Sequence, residues 1–238
     1  MLPLKDNAPT RTFPVVTVGL IVVNVLVFIW EEAGRGLDYH ILKLGYYPCA
    51  VEGPCKQPET LYHHPQWFET VFSSMFMHGG IVHIGGNMLF LWIFGNNVED
   101  ALGRVRFLVW YLLAGVAATA AQTFVTLHYG SAQDASIPNV GASGAIAGVL
   151  GAYFLLLPRA SVLTAIFLGF FFILRQIPAI FFLGIWIALQ ALDGTLSLTT
   201  PQAGGGVAFF AHIGGFAFGL LTVHLVKKQR PLQPTPWR

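Results

Sequence analysis

Charge is scarce in this chain. Lys and Arg number 13, Asp and Glu 11, together 10% of 238 residues, where soluble domains carry about 25%. A chain so poor in charge is neither disordered nor an ordinary soluble domain. With a net charge of only +2 and no basic stripe, nucleic acid is not an expected partner. Cysteine is nearly absent, with Cys49 and Cys55 alone, which excludes a disulfide-scaffold protein. No H-E-x-x-H occurs, and His83 is followed four residues on by Asn87 instead of a second histidine. A zinc site built from His78, His83 and His212 is therefore not expected.

What the chain has is apolar residues, 55% of the total, with a mean hydropathy of +0.63. They are bunched in long runs, the pattern of a polytopic membrane protein. Runs at 13–30, 81–96, 105–127, 143–157, 176–192 and 207–226 predict six transmembrane helices. The stretch 162–174 reads as a connector near the membrane interface, because Arg175 and Pro178 interrupt the run that follows it. The organisation expected is a short cytoplasmic N-terminus (1–12), a membrane domain (13–226) and a short basic tail (227–238), with no added regulatory domain.

Lys and Arg set the orientation. With the N-terminus cytoplasmic, the inner segments hold Lys5, Arg11, Arg104, Arg106, Arg159, Arg175, Lys227, Lys228, Arg230 and Arg238, and the outer ones only Arg35, Lys43 and Lys56. This is the positive-inside pattern. Residues 1–30 read as a retained span and not a cleaved leader, because Glu31-Glu32 stands where a small-residue cleavage site is needed. Cys49 and Cys55 fall in the long first outer loop, where either a disulfide or two free thiols is possible. His40, His63, His64, His128 and His224 read as interfacial or exposed. Glu99-Asp100 reads as a solvated inner turn paired with Arg104 and Arg106.

Polar residues inside spans are functional candidates by default. His83 and Asn87 share one helix face. The fourth span opens Gly141-Ala-Ser143-Gly144, and the sixth contains Ala211-His212-Ile-Gly-Gly215-x-x-x-Gly219. Counted at 1.5 Å per residue, His83, Asn87 and His212 lie about 3, 9 and 8 Å below the outer ends of their spans. Pro158 halts the fourth helix near the inner face, so Ser143 starts about 8 Å below the outer surface of a 30 Å core. A helix start leaves free N–H donors beside that serine, the parts of an oxyanion hole. Ser143 as nucleophile and His212 as base form a dyad, with His83 and Asn87 as further donors. Gly144 and Gly148 on one helix, and Gly215 and Gly219 on another, are spaced for backbone-to-backbone packing of the fourth span on the sixth.

Together, His83-x-x-x-Asn87, Gly141-Ala-Ser143-Gly144 and Ala211-His212-Ile-Gly-Gly215-x-x-x-Gly219 resemble the rhomboid intramembrane serine proteases, over roughly residues 70–226. The resemblance implies an all-α, six-helix bundle in which Ser143 is the nucleophile, His212 the base, and His83 and Asn87 side-chain donors to the oxyanion. It makes His78 an outer-side residue orienting loop and water. It implies no metal or organic cofactor, substrates that are transmembrane segments of other proteins cut near their outer ends, and a site opening outward. A bacterial plasma membrane is the location expected. Two positions depart from the family pattern. Glu69-Thr70, with Trp67 nearby, replaces a Trp-Arg pair. Ala147 replaces an aromatic that stacks on the base, leaving Phe209, Phe210 or Phe216 to hold it. The competing readings are a client-binding member without activity, and a transporter, which would need polar residues continuing toward the inside.

Overall fold

The computed structural model describes residues 1–238 except 35, 53–54, 56–65, 200–206 and 236–238. Arg35, Lys56, His63, His64 and Arg238, each read above as a loop or tail residue, lie outside the described residues.

The protein is an integral membrane helical bundle. Its longest apolar helices are α1 (Val15–Ala33), α6 (Arg104–Tyr129), α8 (Ala179–Thr199) and α9 (Phe209–Val226), each long enough to cross a bilayer. Two short helices, α2 (Leu37–Leu44) and α3 (Trp67–Ser74), lie between the first and second spans. Gln66 and Glu69 form a capping box at the start of α3, so Glu69 has a local task there. In that segment His40 is buried against Trp30, with ring centroids 4.2 Å apart, and is not the exposed residue expected. The second span begins as α4 (Ile81–Phe90), passes through a wide turn at Leu91–Gly95 and ends as α5 (Asn96–Leu102). It is longer than the 81–96 expected. A Cβ at Gly95 would lie 2.9 Å from Leu91 and 3.2 Å from Thr17, so α1 packs onto the turn at backbone distance. The fourth span, α7 (Ser143–Leu156), is short and central, with Ala145, Ala147, Val149, Leu150, Ala152 and Tyr153 all buried.

The connector at 162–174 is a β-hairpin, and the fifth helix begins at Ala179, not Gln176. Strands β2 (Ser161–Leu168) and β3 (Phe171–Pro178) pair antiparallel, with Leu168 opposite Phe171 and Leu163 opposite Gln176. Gly169, at φ 64, opens the two-residue turn between them, the backbone that tight hairpins require. The N-terminal β1 (Leu2–Asp6) adds a third strand beside β2. A continuous apolar run carries no period to separate strand from helix. Phe170, Phe171 and Phe172 at the tip are uncovered by protein, as are Leu26 and Ile29 of α1 and Val109 and Leu113 of α6.

The acidic turn is not solvated. Glu99 and Asp100 are buried, and neither pairs with Arg104 or Arg106. Glu99 reaches α1, where its carboxylate accepts from the N–H groups of Val16 and Thr17 (3.0 and 2.7 Å) and from the Thr17 hydroxyl (2.7 Å). Pro14 offers no side-chain cap, so Glu99 serves as the N-terminal cap and as the negative charge at the positive end of the helix. Asp100 accepts from the backbone N–H and guanidinium of Arg11, at 3.0 and 2.8 Å. Glu99→Ala should lower stability by about 3 kcal/mol, since three donors lose a charged acceptor. A thermal melt in detergent measures this, and a change under 1 kcal/mol would refute the capping role.

A third carboxylate, half-buried, ties the sheet to the bundle. The Asp6 carboxylate accepts from the Tyr153 hydroxyl and from the Asn97 amide, the latter at 3.0 Å. Burial pushes the Asp6 carboxyl up from 3.8 to about 6. The folded protein then holds a proton that the unfolded chain releases above the ordinary value. That stability is present below pH 3.8 and lost as pH rises through 6, a change of about 3 kcal/mol. Asp6→Asn should flatten this slope between pH 4 and pH 7 in thermal melts. An unchanged slope would show that Asp6 is ionised throughout.

Glycine packing also differs in detail from expectation. Cβ atoms at Gly215 and Gly219 of α9 would collide with the carbonyl oxygens of Gly144 and Gly148 of α7. Gly144 and Gly148 themselves face α6, where Cβ atoms would lie 2.6 and 2.7 Å from Ala118 and Ala114. Gly151 is the α7 glycine pressed onto α9, against the carbonyl of Phe216. Helix α7 is therefore clamped between the backbone of α9 and the alanine methyls of α6, and this fixes where its first residue sits.

Candidate active site

Ser143 is the first residue of α7. Fourteen residues of helix span about 21 Å, so α7 is shorter than the 30 Å core. The segment leading into it is tied down: Tyr46 and Asn139 exchange backbone hydrogen bonds at 3.1 and 2.7 Å, and Gly141 N–H donates to Ser74 O at 2.8 Å. Gly141 has φ 131, and a Cβ there would lie 2.9 Å from His83 Nε2. Only glycine allows both the turn and the close approach of that imidazole.

His212 stands on the first turn of α9, and its Nε2 is 2.8 Å from Ser143 Oγ. The packing that presses α9 onto α7 is what brings the two together. On the other side of the ring, Nδ1 is 2.6 Å from Gln190 Oε1 of α8. The ring also lies against Trp186, one turn before Gln190, with centroids 5.7 Å apart at 39°. The aromatic beside the histidine is thus Trp186 from the fifth span, in place of Phe209, Phe210 or Phe216. Phe216 packs on the far neighbour, Trp186, at 6.3 Å.

His83 and Asn87 project from α4 into the same space. Gly79 N–H donates to His83 Nδ1 at 3.2 Å, which leaves the proton on Nε2, the nitrogen beside Gly141. Asn87 is buried, and its amide nitrogen has no hydrogen-bond partner among the described residues. Ser143, His212, His83 and Asn87 all line one cavity of about 970 Å³. Its wall includes Glu32, Gly80 and Val140 toward the outer loops and Ile146, Leu150, Phe90 and Trp186 deeper in. Leu91, Phe94 and Phe182 are buried as well, and Phe94 lies edge-on to Tyr153, with ring centroids 5.0 Å apart. His78 is not at the cavity wall. It lies fully buried behind His83, edge-on at 5.2 Å, and neither ring nitrogen has a partner among the described residues.

Among the described residues no group of three or more His, Cys, Asp or Glu side chains is placed to hold a metal. Cys49 and Cys55 are joined in a disulfide between the first and second spans, with Cys49 packed against Tyr47 and Ala135. Sequence reasoning missed Gln190 and Trp186. The signal was present, because an amide in an apolar span needs a partner, and Trp and Gln four apart share one helix face.

These features are those of a serine at a recessed helix start, next to a histidine, in a membrane bundle. The model of the rhomboid domain matches residues 64–229, more than half of the chain, and the protein belongs to the rhomboid family. It is 30% identical over 154 residues to "Rhomboid protein 1, mitochondrial" of Saccharomyces cerevisiae, covering 64% of this chain and 40% of that protein. It is 33% identical over 150 residues to the human "Presenilin-associated rhomboid-like protein, mitochondrial", covering 62% and 35%. To "RHOMBOID-like protein 4" of Arabidopsis thaliana it is 31% identical over 151 residues, covering 63% and 32%. The chain thus spans between about a third and two fifths of the length of these relatives. The first two relatives are named as mitochondrial proteins, which runs against the bacterial plasma membrane expected from the sequence.

Proposed function

We propose that the protein is an intramembrane serine protease that hydrolyses peptide bonds in or near transmembrane segments of other membrane proteins. The observation that carries this is the 2.8 Å contact between Ser143 Oγ and His212 Nε2 at the wall of a cavity recessed in the bundle. In this mechanism His212 takes the Ser143 proton as the hydroxyl attacks the scissile carbonyl. The oxyanion is met by the Ser143 N–H, the Asn87 amide and His83 Nε2–H. His212 then protonates the leaving amine, and water enters the cavity to hydrolyse the acyl-enzyme. His78 backs the His83 ring. Gly141 and Gly144 keep the backbone around the serine close to its neighbours.

The apolar floor of the cavity favours a blind pocket over a transport pathway. The distribution of Lys and Arg supports residues 13–226 as the membrane domain, with both termini on one side of the membrane and the site opening to the other. The membrane that houses it is left to the relatives' names, which point to mitochondria. The test is cleavage of a single-span test substrate in proteoliposomes, with mass-spectrometric mapping of a fluorophosphonate adduct. Cleavage and an adduct on Ser143 are expected. A folded protein that neither cuts nor takes the label is a client-binding member of the family.

A further inference from the structure

We propose that Gln190 is a positioning residue, the neutral third member of a Ser143–His212–Gln190 relay, and that it sets the tautomer of His212. The proposal rests on the protease reading above and extends it to a helix that carries none of the motif residues.

The argument starts from what each ring nitrogen faces. Gln190 Oε1 is an acceptor only, and it lies 2.6 Å from Nδ1. Nδ1 must therefore carry the proton of a neutral imidazole. Nε2 is then bare, and it is the nitrogen 2.8 Å from the Ser143 hydroxyl. The serine donates to a free lone pair, which is the arrangement a general base needs. With the amide turned over, Nδ1 would have to accept, Nε2 would hold the proton, and the serine would face a donor. A carboxylate does this work in most serine triads. Here a carboxylate near the middle of an apolar bundle would carry a desolvated charge, and an amide orients the ring without one.

The surroundings hold Gln190 to this task. Trp186, one turn earlier on α8, lies against the same ring. One turn later, a Cβ at Gly194 would lie 3.1 Å from Phe209 Cβ, so α8 meets the start of α9 closely on the same face. Among the described residues, the other titratable groups at the wall of this cavity are His83 of α4 and Glu32 of α1. From α7 the ring meets Ser143, and α6 brings Gln122, which accepts from Ala211 N–H at 3.1 Å. Asp193 of α8 is exposed.

The test uses the full chain in lipid, with Gln190→Met and Gln190→Glu. Methionine keeps length and shape but has no strong acceptor, so Gln190→Met should melt near wild type. Its rate of fluorophosphonate labelling and its kcat should fall about 10- to 100-fold at an unchanged KM. Gln190→Glu restores the acceptor and should recover the rate at neutral pH, with the acid limb of the kcat/KM profile displaced upward by about one unit or more. Independently of activity, ¹⁵N shifts of the His212 imidazole should report Nδ1–H in wild type and lose that preference in Gln190→Met. An Nε2–H signal in wild type, or a Gln190→Met protein with wild-type rates and spectrum, overturns the proposal. An Nδ1–H signal in a protein that never labels or cuts retains the tautomer assignment and sinks the protease reading instead.

Discussion

Ser143→Ala and His212→Ala should each lower kcat on a single-span substrate by about 10⁴-fold or more, and the double variant should be no slower than the worse single one. The proposed nucleophile and base act as one unit, so their losses do not add. Removing Ser143 Oγ deletes one small group at the wall of a cavity, so its melting temperature should stay within a few degrees of wild type. Removing the His212 ring is a harsher change. It leaves the Gln190 amide without its imidazole partner and uncovers one face of Trp186. His212→Gln, which can still meet Gln190, separates lost chemistry from lost packing. A folded His212 variant retaining activity within tenfold of wild type would mean that another group takes the serine proton. Gln190→Met gives the contrasting result, a partial loss, because it disturbs the base without deleting it.

The long spans were legible because the bilayer imposes a length that soluble folds do not. Runs at 13–30, 105–127, 143–157 and 207–226 fall within a few residues of α1, α6, α7 and α9. The fifth was displaced because 165–174 is an unbroken apolar run, and such a run hides a hairpin whose main clue was Gly169. Glu99 was misread for a different reason. A carboxylate beside arginines suggests a solvated pair, but its partners are the N–H groups of α1, more than 80 residues away. No local pattern reveals a cap supplied by another helix. At the site, counting depth put Ser143, His83, Asn87 and His212 near one level, and these four line one cavity. Depth says nothing of azimuth, which is why Trp186 and Gln190, on the helix that closes the side, escaped notice.

Azimuth also decides the second large effect, that of the proposed oxyanion donors. Asn87→Ala should lower kcat by about 10²- to 10³-fold and leave KM nearly unchanged. The Asn87 amide nitrogen is buried and makes no hydrogen bond among the described residues. A donor without a ground-state partner contributes only when charge develops on the attacked carbonyl, so its removal reads out in kcat. The stability change should be small. The Asn87 amide nitrogen bonds no other described residue and Asn87 lines the cavity, so Asn87→Ala should melt within a few degrees of wild type while losing most of its activity. His83→Ala should behave differently. His83 Nδ1 accepts the Gly79 N–H, and its ring lies against Gly141, so that variant should lose about 1 kcal/mol of stability together with rate. Steady-state kinetics and melts on the two variants test this contrast. A rise in KM at constant kcat for Asn87→Ala would reassign its amide to holding the substrate before reaction. A markedly lower melting temperature for that variant would mean that the amide already has a partner in the resting protein, such as an ordered water.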